Sequence, residues 1–228
     1  MNVGRIFLLI VLFFALYVIT AVELAPATLL LIALAGLPAM LLAAELGRRA
    51  LDRRPTPENA LKVTARTHDA LILLLGFTAI AAVRLFSEFP GWTIPVPEPV
   101  GLALVFLTAL LLLASTANLI LSGLGMPMAF LPTRQLASDW LYSWTRNPIV
   151  LSSILFLFSL GIRMQSGWLV AWTLVLYTPT AIFMLRRFEE RELEIRFGAE
   201  YLEYKSRVPM LIPRIPPHSG HTSIHLPR

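Results

Sequence analysis

Residues 149–185 read IVLSSILFLFSLGIRMQSGWLVAWTLVLYTPTAIFML, which is two apolar runs around a short polar turn. The second run, Gly167–Leu185, approaches the roughly 20 residues that a membrane-spanning helix needs. The first run, Ile149–Ile162, gives only about 21 Å of helix at a rise of about 1.5 Å per residue, whereas the hydrocarbon core is roughly 30 Å thick. The stretch therefore predicts a membrane hairpin whose first helix either begins earlier, near Trp140, or crosses the bilayer only in part.

Further apolar runs precede the hairpin, at Ile6–Val22, Ala27–Ala44, Ala70–Phe86 and Val100–Leu121. The chain is 57% hydrophobic and 14% charged, whereas an average soluble domain is about 25% charged. This composition excludes an ordinary soluble domain and a disordered chain. It predicts an all-α, polytopic membrane bundle of five or six transmembrane helices, with the C-terminal hairpin and short cytoplasmic helices. We expect the segment Gly47–His68 to be a cytoplasmic loop in which a helix starts at Pro57.

The basic residues predict the orientation of the bundle. Six spans would put both termini on one side, together with 17 of the 19 lysines and arginines; only Arg84 and Arg163 lie toward the other side. By the positive-inside rule the side that carries most of the lysines and arginines is cytoplasmic. The net charge of +5 is then a topology signal, and no nucleic-acid partner is expected. The compact loops and the N-terminal sequence favour a bacterial or archaeal inner membrane.

The sequence contains no cysteine. Disulfides, a cysteine nucleophile and a thiolate zinc site are therefore excluded. The three histidines of the tail lie among prolines, in a segment that we read as a flexible end, and no metal is expected. These histidines are His218, His221 and His225.

Two polar stretches interrupt the apolar pattern, Gly123–Pro148 and Arg186–Arg207. The second holds 12 of the chain's 33 charged residues in 22 positions. We expect it to be helical, with Glu192 and Arg196 forming an ion pair one helical turn apart. Gly198 is expected to end this helix, because glycine readily adopts the backbone conformation found just after a helix.

Both polar stretches contain a motif. Residues 141–151 read LYSWTRNPIVL, with Arg-Asn-Pro directly ahead of the hairpin. Residues 189–209 read EERELEIRFGAEYLEYKSRVP, with paired glutamates followed by Phe-Gly, Glu-Tyr, a second tyrosine and Val-Pro. Together the motifs resemble those of the isoprenylcysteine carboxyl methyltransferase and phospholipid methyltransferase superfamily. The resemblance covers about Pro132–Arg214, and Asn147 stands where the prenylcysteine enzymes have histidine.

This resemblance implies a membrane enzyme that binds S-adenosylmethionine without a Rossmann fold. The implied donor site consists of Arg146, Asn147, Pro148, Glu190, Tyr201 and Tyr204. Arg146 and Asn147 would bind the donor's carboxylate, and Glu190 its ammonium group or ribose hydroxyls. The two tyrosines would pack beside the adenine, and Pro148 would be in the first turn of the following helix. Arg146 and Glu190 are also the predicted catalytic residues.

The acceptor is left open at this point. An isoprenylcysteine-like carboxylate or thiol is favoured, a phosphatidylethanolamine-type phospholipid amine is the alternative, and a smaller apolar thiol or phenol also fits. In each case we expect a lipophilic acceptor that reaches the site within the bilayer, among membrane lipids. An amine would need a base, for which Glu190 is the nearest candidate. A non-enzymatic membrane scaffold is the competing interpretation.

The predicted organisation has three parts. Residues 1–125 form the N-terminal helices on the acceptor side, 126–214 the methyltransferase-like region, and 215–228 a flexible tail. Ser115, Thr116 and Asn118 in the fourth span could line an acceptor tunnel, although hydrogen bonding between helices is the favoured use of such residues.

Overall fold

A computed structural model describes residues 11, 22–123 and 135–213 of the chain. Within these residues it is built from helices, which confirms the all-α prediction. The main helices are α1 (Pro26–Arg53), α2 (Pro57–Glu88), α3 (Glu98–Gly123), α4 (Pro148–Arg163) and α5 (Gly167–Arg207). By length and composition α1, α2, α3 and α5 are able to cross a membrane, and α4 is a shorter apolar helix. The predicted first span, apart from residues 11 and 22, and the tail 215–228 lie outside the described residues.

Helices α1 and α2 form the most extensive helix pair. The buried positions of α1 recur every three or four residues, which makes one continuous stripe. They are Leu29, Ala33, Leu37, Met40, Ala44, Gly47 and Leu51. The stripe extends past the apolar run into the charged segment, so packing against α2 keeps this segment helical.

The predicted loop Gly47–His68 is consequently wrong for most of its length. Helix α1 continues to Arg53, and α2 already begins at Pro57, as the sequence predicts for its start. The Thr56 hydroxyl accepts a hydrogen bond from the Asn59 amide at 3.3 Å, which caps the new helix. The link between the two spans is therefore a tight turn.

Helix α4 begins at Pro148, and the turn near Trp140 is a separate 3₁₀ turn, Trp140–Ser143. The prediction that α4 might start near Trp140 is therefore wrong. A proline disfavours the helical conformation in the residue before it, and Asn147 has φ −132° and ψ 60°. With 16 residues, α4 is about 24 Å long, so it is shorter than a bilayer core.

Helix α5 is continuous from the apolar run into the charged stretch, with π-helical turns at Trp172–Tyr177 and Leu185–Glu189. Its apolar part ends at Leu185, and residues 186–207 lie beyond the span. Ion pairs tie this charged part to α1: Arg187 to Glu45 at 2.8 Å and Arg191 to Asp52 at 2.9 Å. We call this side of the bundle, formed by residues 45–69, 135–148 and 186–213, the charged end.

The opposite end is held by aromatic contacts and one ion pair. Trp92 and Trp168 meet edge to face with ring centroids 5.7 Å apart, and Arg163 pairs with Glu98 at 2.8 Å. Tryptophans are enriched where a membrane protein meets the lipid–water interface. The two ends thus differ in chemistry, one being ionic and the other aromatic.

The orientation predicted from the basic residues is testable with single cysteines, because the natural chain has none. Ser206 is exposed at the charged end and Ser87 is exposed at the opposite end. A membrane-impermeant thiol reagent applied to intact cells should label Ser87→Cys and leave Ser206→Cys unlabelled until the cells are lysed. The reverse pattern would contradict a cytoplasmic charged end.

Candidate functional site

A short chain of ion pairs lies at the centre of the charged end. Arg146 Nη2 binds Glu190 Oε1 at 2.7 Å, and Lys205 Nζ binds Glu190 Oε2 at 2.6 Å. The same lysine binds Glu194 at 3.1 Å. The side chains of Arg146 and Glu190 are only 8% and 13% exposed. Buried charges persist only when they are paired, so this cluster depends on its geometry.

The cluster exists because α5 folds back on itself at Gly198. Fifteen residues separate Glu190 from Lys205, which is about 22 Å along a straight helix. Gly198 has φ 54° and ψ −126°, a conformation that is nearly restricted to glycine, and it breaks the helix direction there. The predicted helix end at Gly198 is confirmed. The segment 199–207 is thereby turned back against the start of the charged part.

Arg146 has hydrogen-bonding capacity that the protein does not use. Its Nε and Nη1 atoms are buried and make no hydrogen bond with the described residues. A buried unpaired donor costs about 1–3 kcal/mol, and more when the group is charged. These two donors could therefore bind an anionic group.

The backbone around Arg146 is held by the segment that follows α5. The Arg146 amide donates to the Pro209 carbonyl at 2.9 Å, and the Asn147 side-chain amide donates to the Met210 carbonyl at 2.9 Å. The Thr145 hydroxyl donates to the same Met210 carbonyl at 3.1 Å. The Asn147 side chain therefore connects the loop before α4 to the segment directly after α5, and it does not cap α4.

Two predicted site tyrosines are buried in the turned-back segment. Tyr201 is 1% exposed, and its ring lies 6.3 Å from that of Tyr204. The Tyr204 hydroxyl donates to the Tyr142 carbonyl at 2.7 Å, which joins this segment to the 3₁₀ turn. Burial raises the pKa of both Tyr201 and Tyr204, so their phenols stay protonated at neutral pH.

A second buried ion pair supports the site from the side of α2. Glu192 and Arg196 meet at 2.6 Å, and both side chains are almost fully buried. This is the pair that the sequence predicts at one helical turn. Because both members are buried, this face of the charged part of α5 lies against the rest of the bundle.

Asn118 of α3 positions the 3₁₀ turn. Its side-chain carbonyl accepts the Leu141 amide at 2.9 Å, and its amide donates to Ser122 at 3.0 Å. Asn118, with Asp139 and Trp140, also lines an open cavity of about 560 Å³ on the outer side of the turn. Ser115 bonds to the Leu111 carbonyl of its own helix at 2.7 Å. Ser115 and Asn118 thus bond within α3 and to the 3₁₀ turn, and the predicted hydrogen bonding between membrane helices stays a prediction.

The structure brings the predicted site residues into one region. Arg146 and Glu190 are in direct contact, and the others flank them in the same loop and the same turned-back segment. Sequence reasoning missed Lys205 and the carbonyl groups of Pro209 and Met210. A lysine fifteen residues from a glutamate carries no helical signal, and backbone acceptors have no sequence signature. No group of histidine and acidic residues suited to a metal ion occurs among the residues that the structure describes.

Part of the chain is similar in sequence to known proteins. Residues 97–200 match the family model described as phospholipid methyltransferase. A curated relative, methanethiol S-methyltransferase 2 of Bradyrhizobium diazoefficiens, is 37% identical over 75 residues. That alignment covers 33% of this chain and 27% of the relative, so the chain spans only about a quarter of the relative's length. No solved structure matches.

The helical membrane fold and the two motifs are thus similar to those of one class of protein, the integral membrane methyltransferases. Residues 97–200, somewhat under half of the chain, carry the similarity to the phospholipid methyltransferase family. The match begins ahead of α3, and α3 packs against α4 through a hydrogen bond between Thr108 and Ser159 at 2.8 Å. The predicted division of the chain at residue 125 stays a prediction.

The fold-back at Gly198 yields a direct prediction. Gly198→Ala should destabilise the protein by about 1–3 kcal/mol, because a side chain is strained in this conformation, although a Cβ there meets no atom within 4 Å. Thermal unfolding in detergent measures the effect. Ala199→Gly, at the next and equally exposed position, is the matched control and should cost less. Equal stability of Gly198→Ala and the natural chain would contradict the strain argument.

Proposed function

We propose that this protein transfers the methyl group of S-adenosylmethionine to a thiol on an apolar acceptor, at the charged end of the membrane bundle. The observation that carries the proposal is the buried Arg146 guanidinium, whose Nε and Nη1 have no partner among the described residues. The superfamily supplies the reaction class. The proposal extends to an integral membrane location in a bacterium or archaeon, with the site facing the cytoplasm.

The residues fit an amino-acid group of the donor. A carboxylate would be bound by the unpaired Arg146 donors, and the ammonium group would be bound by Glu190, which already holds two cations. The adenine would lie against Tyr201 and Tyr204, which are flat and protonated. When bound, the donor supplies a methyl group on a sulfonium sulfur, which is already an electrophile. The protein's task is therefore to bind, to orient and to exclude water.

The structure also provides a reason for this site to act on a lipophilic acceptor. The ion-pair cluster lies one helical turn beyond Leu185, where the apolar part of α5 ends. An acceptor dissolved in the bilayer would thus need to expose only its polar end to reach the donor. Arg146 lies at the matching position beside the other helix of the hairpin, because Pro148 begins the apolar helix α4 two residues later.

Among acceptors we favour a thiol because the curated relative is named a methanethiol S-methyltransferase. Both a small apolar thiol and an isoprenylated thiol fit this chemistry, and an isoprenylcysteine carboxylate is the nearest variant. The family match to phospholipid methyltransferases favours a second candidate, the amine of a phosphatidylethanolamine-type lipid. The three acceptor classes differ in whether a proton must leave before methyl transfer.

Donor binding should depend on Arg146. We expect Arg146→Gln to weaken S-adenosylmethionine binding about 10- to 100-fold, because hydrogen bonds to charged groups contribute about 1.5–3 kcal/mol. Isothermal titration in detergent measures the dissociation constant. Arg207→Gln is the control, since among the described residues Arg207 pairs with Glu203 alone, at 3.3 Å on an exposed surface. Unchanged binding by Arg146→Gln would remove Arg146 from the donor site.

The acceptor is identified by transfer of a radiolabelled methyl group. Purified protein is supplied with labelled donor and, in separate reactions, a short alkyl thiol, an isoprenyl thiol, an isoprenylcysteine and phosphatidylethanolamine vesicles. We expect label in a thioether product. Label in the phospholipid alone would establish the amine reaction, and label in the isoprenylcysteine ester would establish the carboxylate reaction. Absence of donor binding by the natural chain would favour the membrane scaffold.

A further inference from the structure

Glu189 is an acidic side chain of the charged end that lies next to the proposed donor site and is not part of it. The other three glutamates between residues 189 and 194 are all engaged with cations. Their ion pairs are Glu190 with Arg146 and Lys205, Glu192 with Arg196, and Glu194 with Lys205 and Arg191. The Glu189 carboxyl group makes no hydrogen bond or ion pair with any residue in 22–123 or 135–213.

The position of Glu189 is close to the donor site. It is the residue next to Glu190, at the end of the π-helical turn Leu185–Glu189 and beyond the apolar span. Burial raises the pKa of both Tyr142 and Tyr201, and the Glu189 charge adds to this effect in each. The Glu189 charge is therefore close enough to act on Tyr142 of the 3₁₀ turn and on Tyr201 of the turned-back segment.

The surroundings of Glu189 bring the ionised and the protonated forms of its carboxyl group close in free energy near neutral pH. Burial, together with the neighbouring charges of Glu192 and Glu190, raises the pKa of Glu189 to about 7. The groups that face it are these two glutamates on its own helix, Tyr142 from the 3₁₀ turn and Tyr201 from the turned-back segment. A proton acceptor works best when its pKa lies near the working pH.

We propose that the Glu189 carboxylate takes the proton from the thiol acceptor, while its neighbour Glu190 holds the donor. This inference rests on the proposed thiol methyltransferase function and assigns the proton acceptor within it. Glu190 is the candidate base expected for an amine acceptor, and for a thiol acceptor the inference assigns the role to Glu189. Both oxygens of Glu190 are already bound to cations, whereas those of Glu189 are available.

The step balances in atoms and charge. The S–H bond of the acceptor breaks, its proton passes to the Glu189 carboxylate, and the electron pair stays on the sulfur as a thiolate. The thiolate forms a bond to the methyl carbon, and the bond from that carbon to the sulfonium sulfur breaks with its electron pair remaining on the departing sulfur. The products are a thioether and a neutral thioether form of the donor, and Glu189 then releases its proton to water.

The test compares Glu189→Gln with the natural chain and with Glu203→Gln, an exposed control in the same helix. With a thiol acceptor whose pKa is about 8.5 or higher, kcat/KM of Glu189→Gln should fall about 100-fold at pH 7. The deficit should shrink toward pH 9, because the thiol then ionises without help. In the natural chain kcat/KM should decline below pH 7, as the carboxylate is lost.

Two further measurements do not depend on activity. Infrared difference titration of the protein alone should show a protonated carboxyl group that ionises near pH 7 in the natural chain and Glu203→Gln, and that is absent in Glu189→Gln. Isothermal titration should give the same S-adenosylmethionine affinity for Glu189→Gln as for the natural chain, within about twofold. Unchanged affinity shows that Glu189→Gln is folded and that the donor site is intact.

The possible results separate this inference from the proposed function. If Glu189→Gln keeps the natural rate and the decline below pH 7, Glu189 is not the proton acceptor, and the methyltransferase function stands. A rate deficit that is the same at pH 7 and pH 9 would also overturn the inference, because it would show a structural role. If the natural chain binds no donor or methylates no thiol, the proposed function itself fails.

Discussion

The reversal of α5 at Gly198 is the constraint on which the charged end depends. An uninterrupted helix would carry Lys205 about 22 Å away from Glu190, and neither Tyr201 nor Tyr204 would reach the 3₁₀ turn. The reversal brings the lysine to 2.6 Å from the carboxylate and lets the Tyr204 hydroxyl bind the Tyr142 carbonyl. The segment after α5 then holds the backbone of Arg146, because the Arg146 amide donates a hydrogen bond to the Pro209 carbonyl. A single conformationally permissive residue thus turns a charged helix into a site.

The cost of assembling this site is electrostatic. Arg146 and Glu190 are nearly buried, and removing one member of such a pair typically costs about 3–5 kcal/mol. The exposed pairs to α1, such as Arg187 with Glu45, contribute little by themselves because solvent screens them. Their role is to set the direction of the charged part of α5. Stability and orientation are therefore supplied by different ion pairs.

Part of the fold follows from local pattern and part does not. The apolar runs predicted the helices from α1 to α5, since period and length alone decide which segments suit a membrane. The loop at Gly47–His68 was predicted too long, because composition suggested a polar link while tertiary packing of the α1 stripe keeps it helical. The start of α4 at Pro148 could be predicted from the chemistry of proline, whereas its separation from the Trp140 turn depends on hydrogen bonds to Asn118. The family match agrees with the two motifs, and it begins further toward the N-terminus than they do.

By itself the sequence determined the helical membrane class, the concentration of charge after Leu185 and the residue types of the candidate donor site, because hydropathy and motif spacing are properties of neighbouring residues. Only the tertiary structure decided which carboxylate is paired with cations. Glu189 and Glu190 are adjacent and chemically identical in sequence. They differ because a helix turns by about 100° per residue, so that Glu190 faces Arg146 and Lys205, while Glu189 lies near Tyr142 and Tyr201 and pairs with no cation among the described residues.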